Sequence, residues 1–182
     1  MRNILIICLT AFLIPQLGFA KSYNAEFYYP TGNGPFSAII LSHGRGGPHS
    51  SYHKIAGTFV RQGHAAIVID HYSARGEYGV RFRKFPKLAE GKSWREDDIL
   101  DLLGNLKDRA KINRKKIVLA GWSAGAGIVL PLISNPRTMD LPEEVSIAGA
   151  ILTYPYTYGC YAEIQSFNVP VLIHFGKLDG NK

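Results

Sequence analysis

Five near-continuous apolar runs punctuate this chain, at residues 36–42, 63–70, 116–120, 146–153 and 169–175, each closed by glycine, proline or polar residues. Runs that are apolar at successive positions predict strands buried on both faces, which is the habit of a central parallel sheet. Residues 25–30 differ: Ala25-Glu26-Phe27-Tyr28-Tyr29 alternates as an outer strand does, and Thr31-Gly32-Asn33-Gly34-Pro35 has the composition of a turn. Helical stretches fall between the runs. One is expected from about Ser51 to Arg61. A second spans Trp94 to Lys107, with Ile99, Leu102, Leu103 and Leu106 on one face and Glu96, Asp97 and Asp98 in the first turns, where the helix dipole favours acids. A third begins at Ala124 and should kink or end at Pro131, because a proline inside a helix loses a hydrogen bond and clashes with the preceding turn. Strand, helix and strand in succession make βαβ units, so the pattern predicts an α/β domain.

The first twenty residues stand outside this pattern. A basic start at Arg2, an apolar stretch from Ile4 to Ile14 and the small-residue exit Gly18-Phe19-Ala20 read as a secretory signal cleaved after Ala20. An uncleaved membrane anchor is the alternative, but the stretch is shorter than the ~18–20 residues that span a bilayer and Pro15 interrupts it. The expected location is therefore secreted or periplasmic, with no stable membrane insertion after cleavage. The division is residues 1–20 as signal and 21–182 as one domain, since 182 residues with 46% hydrophobic content suffice for a single core. Cys160 is the only cysteine beyond the signal, so no internal disulfide can form. The formal net charge of +7 raises nucleic acid as a partner. The positive residues are dispersed except at Arg81-Phe82-Arg83-Lys84-Phe85-Pro86-Lys87, no nucleic-acid module is readable, and none is expected to bind.

Chemistry concentrates at Gly121-Trp122-Ser123-Ala124-Gly125, where a buried strand passes directly into a helix. A sharp bend there lifts one serine hydroxyl clear of the sheet and aims a helix N-terminus at the reacting centre. Glycine on either side allows neighbouring backbone to pass where a Cβ would clash. A lone serine hydroxyl is a weak nucleophile, so this setting calls for a histidine base and a carboxylate to orient it.

Two further motifs lie at strand ends, His43-Gly44-Arg45-Gly46-Gly47 and Gly176-Lys177-Leu178-Asp179-Gly180. In this order, and over roughly residues 23 to 180, the chain resembles the α/β-hydrolase superfamily and within it the dienelactone-hydrolase-like branch. The resemblance implies a mostly parallel sheet with helices on both faces, from which the last strand and helix are missing. It also implies Ser123 as nucleophile, the Ala124 N–H as one oxyanion donor, a second donor from the Gly44, Arg45 and Gly46 loop, and Asp179 as the acid, with Glu163 a distant substitute. No metal or cofactor is needed. In the family the triad histidine follows one more strand beyond the acid, and this sequence has no histidine past His174. His43 reads as structural, His174 precedes the acid, and His49, His53, His64 and His71 carry no motif.

Dienelactone hydrolases proper use a cysteine nucleophile, and the serine here moves the expected chemistry toward ordinary ester hydrolysis. The expected activity is a serine carboxylic-ester hydrolase acting on small-molecule esters through an acyl-enzyme. The chain as it stands is expected to be a fragment, nearly inactive for want of the base, and poorly stable because the run 169–175 would form an open apolar edge. A non-catalytic ligand-binding protein on the same fold is the alternative, and a peptidase or acyltransferase the third. Tyr154, Tyr156, Tyr158 and Tyr161 could shape a substrate site or simply cover the core. The basic run from Arg81 to Lys87, with Arg45, could draw an anionic substrate or be a solvated face. Oligomeric state cannot be read from these features.

Overall fold

The computed structural model describes residues 23–76, 94–135, 141–156 and 164–177. Outside them lie the signal stretch, the basic run 81–87, Tyr158, Cys160, Tyr161, Glu163 and Asp179. Six strands form the main sheet: β1 (Asn24–Tyr28), β2 (Phe36–Ser42), β3 (Ala65–Asp70), β4 (Ile112–Trp122), β6 (Ile147–Thr153) and β8 (Val171–His174). A two-stranded antiparallel ribbon pairs β5 (Ser134–Asn135) with β7 (Ser166–Phe167), and no hydrophobic run had pointed to either. The main order is β1-β3-β2-β4-β6-β8, with β1 antiparallel to β3 and every other pairing parallel. This is the mostly parallel α/β architecture that the apolar runs predict.

Period-two alternation divides the strand residues between two cores. On one face Ala38, Ile40, Ile67, Ile69 and Leu119 pack with Ile99, Leu102, Leu103 and Leu106 and with Ala126, Ile128 and Val129. The helices supplying these residues are α2 (Trp94–Asn105, continued as a 3₁₀ turn over Leu106–Asp108) and α3 (Ala124–Leu132). On the other face Ile39, Leu41, Ala66, Val68 and Ala120 meet α1 (Ser50–Arg61). That helix turns Tyr52, Ile55, Ala56, Phe59 and Val60 inward at three- and four-residue spacing. Pro131 is the second-last residue of α3, so the helix ends there rather than kinking and continuing.

Two differences from the sequence pattern follow from tertiary pairing. The elbow strand starts at Ile112, four residues earlier than its apolar run, because Phe36 of β2 pairs with Ile112 across an irregularity in register. On α2, Asp97 faces water as an acid near the dipole should, whereas Glu96 and Asp98 are buried with Arg95. Among the described residues β8 pairs only with β6, and Leu172, Ile173 and Phe175 are exposed on and beside it.

The strand order also locates the site. From β2 the chain crosses to β3 on one side, then returns to place β4 on the other side of β2. In open α/β sheets the crevice at such a reversal, outside the carboxyl ends of the strands, is where ligands bind. Here the ends are in register, with Leu41 beside Ala120 and Ser42 beside Gly121, so the segments after Ser42 and after Trp122 emerge side by side.

Candidate active site

Ser123 stands between the last residue of β4 and the first of α3, with φ 51° and ψ −116°. A non-glycine residue with this positive φ is strained, at a cost of order 1–3 kcal/mol, and persists only where its surroundings hold it. Several backbone bonds do so. The Ser123 N–H donates to the Thr153 carbonyl at the end of β6 (2.9 Å), and the Ser123 carbonyl accepts from Gly127 (3.1 Å) and Tyr156 (3.1 Å). The bend is thus fixed to its own helix and to the neighbouring strand end, while the serine itself remains half-buried.

Close packing explains both motif glycines. A Cβ on Gly121 would come within 2.5 Å of the Ala126 backbone, and one on Gly125 within 2.5 Å of the His43 carbonyl oxygen and nearer still to that of Ser42. The sharp strand-to-helix turn therefore presses α3 against the ends of both β2 and β4.

Gly44 brings the second motif to the first. Its Cβ position lies 3.4 Å from the Trp122 carbonyl oxygen and 3.6 Å from Ser123 Cβ, so the glycine-rich loop runs directly past the serine. The Gly44 N–H donates to the Tyr52 hydroxyl (2.9 Å), and the Gly47 N–H closes a turn onto the Gly44 carbonyl (3.3 Å). Tyr52 comes from α1 and sets its ring edge-on to Trp122 at 5.4 Å, tying the loop to the residue before Ser123. Ala124, at the first position of α3, is buried with its amide at the positive end of the helix dipole. Tyr154 and Tyr156 lie at the end of β6 beside Ser123 and are exposed. Asp179 is outside the described residues, so its place relative to Ser123 is not part of this geometry.

Behind the loop lies a buried polar cluster that sequence reading missed. His71, fully buried, donates from Nδ1 to Asp98 Oδ2 (2.8 Å), and Asp98 also takes a two-pronged contact from Arg75 (2.7 and 2.9 Å). Arg75 in turn covers the Trp94 ring at 4.0 Å. Burial first, then the neighbouring Arg95, His43 and Arg75, hold the His71 pKa well below its usual value. With Arg75 already balancing Asp98, the ring stays neutral, and its Nε2 accepts from the Ser42 hydroxyl (3.2 Å). Ser42, His71 and Asp98 thus reproduce the connectivity of a catalytic triad. Ser42 is wholly buried, however, and no substrate could reach it.

His43 joins this cluster to the loop. Its Nδ1–H donates to the Gly44 carbonyl (2.7 Å), and its Nε2 accepts from the His71 backbone N–H (3.2 Å). Both ring nitrogens are satisfied in the neutral form, and burial followed by the charge of Arg95 lowers the pKa to about 3. His43 is therefore a structural residue, as its place before the loop implies. A sequence signal for the cluster exists: Arg95 and Asp98 fall in phase with Ile99, Leu102 and Leu106, so charged groups share the stripe that enters the core. Among the described residues, no three His, Cys, Asp or Glu side chains gather closely enough to hold a metal ion, and no helix is long and apolar enough to cross a membrane.

A mostly parallel sheet, helices on both faces and a strained serine at the strand reversal define an α/β-hydrolase fold. Solved structures share it. Esterase 2 of the Planctomycetes species Thermogutta terrifontis, in a butyrate-bound form, matches with a TM-score of 0.52 and 20% identity, over 73% of this chain and 49% of that one. The same esterase phosphorylated by paraoxon gives 0.59 and 18%, over 83% and 64%. A Klebsiella pneumoniae protein described as a dienelactone hydrolase gives 0.56 and 17%, over 82% and 65%. The chain spans about half the length of the first of these and just under two thirds of the other two. No curated protein matches the sequence. A match over residues 24–181 shows that the chain belongs to the dienelactone hydrolase family.

Proposed function

We propose that the protein is a serine hydrolase of carboxylic esters that works through an acyl-enzyme. The observation that carries this reading is the positive φ of Ser123 at the β4–α3 junction, with the Gly44 loop passing at 3.6 Å from its Cβ position to Ser123 Cβ. In this reading Ser123 Oγ attacks the ester carbonyl and its proton passes to a histidine. Negative charge then collects on the former carbonyl oxygen, where preorganised amides stabilise it without reorienting. The Ala124 N–H is one donor. Since the Gly44 amide is already bonded to Tyr52, the loop's donor is the amide of Arg45 or Gly46. The histidine returns its proton to the departing alcohol, and water attacks the acyl-serine to release the acid.

The base is not His43 or His71, whose rings are buried and whose nitrogens are committed to Gly44, His71, Asp98 and Ser42. We propose Asp179 as the acid that orients the histidine base. Family membership supports hydrolytic chemistry, and the phosphorylation of a fold relative by paraoxon supports a serine nucleophile. Serine at this position favours simple esters over the lactones of the family's namesake.

The test is hydrolysis of p-nitrophenyl butyrate by the full-length protein, with paraoxon labelling read by mass spectrometry. Wild type is expected to turn over the ester and take one phosphoryl group at Ser123. Ser123→Ala is expected to lose the label and on the order of 10⁶ in turnover. Full activity in Ser123→Ala would remove Ser123 as the nucleophile.

A further inference from the structure

The buried cluster behind the loop has no part in the bond-making steps, yet its contacts converge on the end of β2, where the strand runs into the glycine-rich loop. Arg95, on the first turn of α2, donates from a terminal guanidinium nitrogen to the His43 carbonyl oxygen, and the same nitrogen lies 3.4 Å from Ser42 Oγ. The Ser42 and His43 carbonyls are also the two atoms against which Gly125 of the elbow packs. His43 then passes into Gly44 and the loop. One guanidinium therefore grips the short backbone segment that has the elbow helix on one side and the oxyanion loop on the other. It is itself nearly inaccessible, and its face lies 5.6 Å from the Tyr72 ring.

We propose that Arg95 is a positioning residue that sets the spacing between Ser123 and the loop amides of the oxyanion site, an inference that rests on the hydrolase reading. Burying a guanidinium is costly, and replacing buried charge by apolar side chains is often neutral or stabilising. A core that needed only filling at this point would be served as well by methionine or leucine. What an apolar side chain cannot do is hold a backbone carbonyl in a fixed direction. The planar fork of arginine supplies donors in set directions, which lysine does not reproduce. The ring of His43, satisfied at both nitrogens, prevents the gripped segment from rotating. Tyr52 holds the Gly44 N–H from the opposite helix, so the loop is fixed at two successive residues from two faces of the sheet.

The experiment compares hydrolysis of an oxygen ester and the matching thionoester by full-length wild type, Arg95→Met and Arg95→Lys, all confirmed folded by near-UV circular dichroism. The thiono sulfur is a poorer acceptor of oxyanion hydrogen bonds, so the ratio of kcat/KM for the two substrates reports how well those donors are placed. A merely structural loss of active protein lowers both rates together and leaves the ratio unchanged. Arg95→Met is expected to lower the ratio about tenfold or more, mainly through kcat for the oxygen ester, since one lost oxyanion donor costs ~10²–10³ and misplacement is a partial loss. Arg95→Lys keeps charge and length and guards against a methionine variant that does not fold. It too is expected to lower the ratio severalfold.

A wild-type ratio in Arg95→Lys, or in a folded Arg95→Met, overturns the proposal while ester turnover and paraoxon labelling of wild type leave the hydrolase reading standing. A wild type that neither hydrolyses the ester nor takes the label overturns both.

Discussion

Replacing Gly125 by alanine adds one methyl group at the point where the elbow helix meets the end of β2. That methyl would stand 2.5 Å from the His43 carbonyl oxygen and closer to the Ser42 carbonyl, where ordinary van der Waals contact begins at 3.4 Å. The gap must therefore open by about 1 Å. Neither obstacle is the tip of a flexible side chain: both are backbone, one in β2 and one gripped by Arg95. Overpacking normally costs about 1–3 kcal/mol when side chains can yield, and here the upper end, about 3 kcal/mol, is expected. With a urea dependence of about 2 kcal/mol per molar, the unfolding midpoint falls by about 1.5 M. Ester turnover falls by about 10²-fold, because a displacement of about 1 Å at the reacting groups has that effect. The control is Gly46→Ala, in the same region but with open space around its Cβ position. It is expected to change stability by no more than about 0.5 kcal/mol. Urea titration followed by tryptophan fluorescence measures both. A Gly125→Ala midpoint equal to wild type would refute the close-packing argument, as would an equal loss in Gly46→Ala.

The buried histidines make a prediction about acid. His43 takes a proton near 6.5 when unfolded but only at about 3 when folded, so between these values the unfolded chain binds more protons. Stability is then fully present above pH 6.5 and declines as pH falls, by up to about 1.4 kcal/mol per unit, with His71 acting in the same direction. Urea midpoints at pH 7 and 5.5 should show the decline before carboxylates titrate, and His43→Gln should reduce the slope; a wild-type midpoint that is flat over this range would contradict the neutral buried rings. Asp98→Ala leaves His71 and Arg75 without the carboxylate between them, and should cost about 3 kcal/mol, the low end for a broken buried pair because Arg75 is 23% exposed. A shift in thermal unfolding corresponding to less than about 1 kcal/mol would show that other contacts hold the cluster.

Local pattern reached far in this protein. The apolar run of β2 is legible because each of its apolar residues contacts one core or the other, so the two faces of the strand are both covered. The elbow is legible because its glycines answer a local demand, the approach of α3 to two strand ends. Less legible was β4 before Lys116, where Asn113, Arg114 and Lys115 follow no apolar pattern and join the strand because β2 and Ser146 offer hydrogen-bond partners. The β5–β7 ribbon, two residues on each side, is too short for any period to register.

The site divides in the same way. Ser123 and the loop from Gly44 to Gly46 are contiguous motifs, each determined by the chain within a few residues of itself. Their approach to one another was decided by the order of strands, which sets β2 beside β4 although about eighty residues separate the two motifs. The same holds for the acids of α2. Sequence placed Asp98 within the first turns of α2, where negative charge is favourable, and that much is a property of the helix alone. Its burial between His71 and Arg75 depends on a strand end and a 3₁₀ turn folding over the helix, and long-range contacts of this kind leave no period in the sequence to read. Which residues can enter a core and where the chain can bend were legible locally, since both depend on side-chain chemistry at neighbouring positions. Tertiary structure alone decided which bends meet and which charges are enclosed, because those depend on how separate segments share one limited interior.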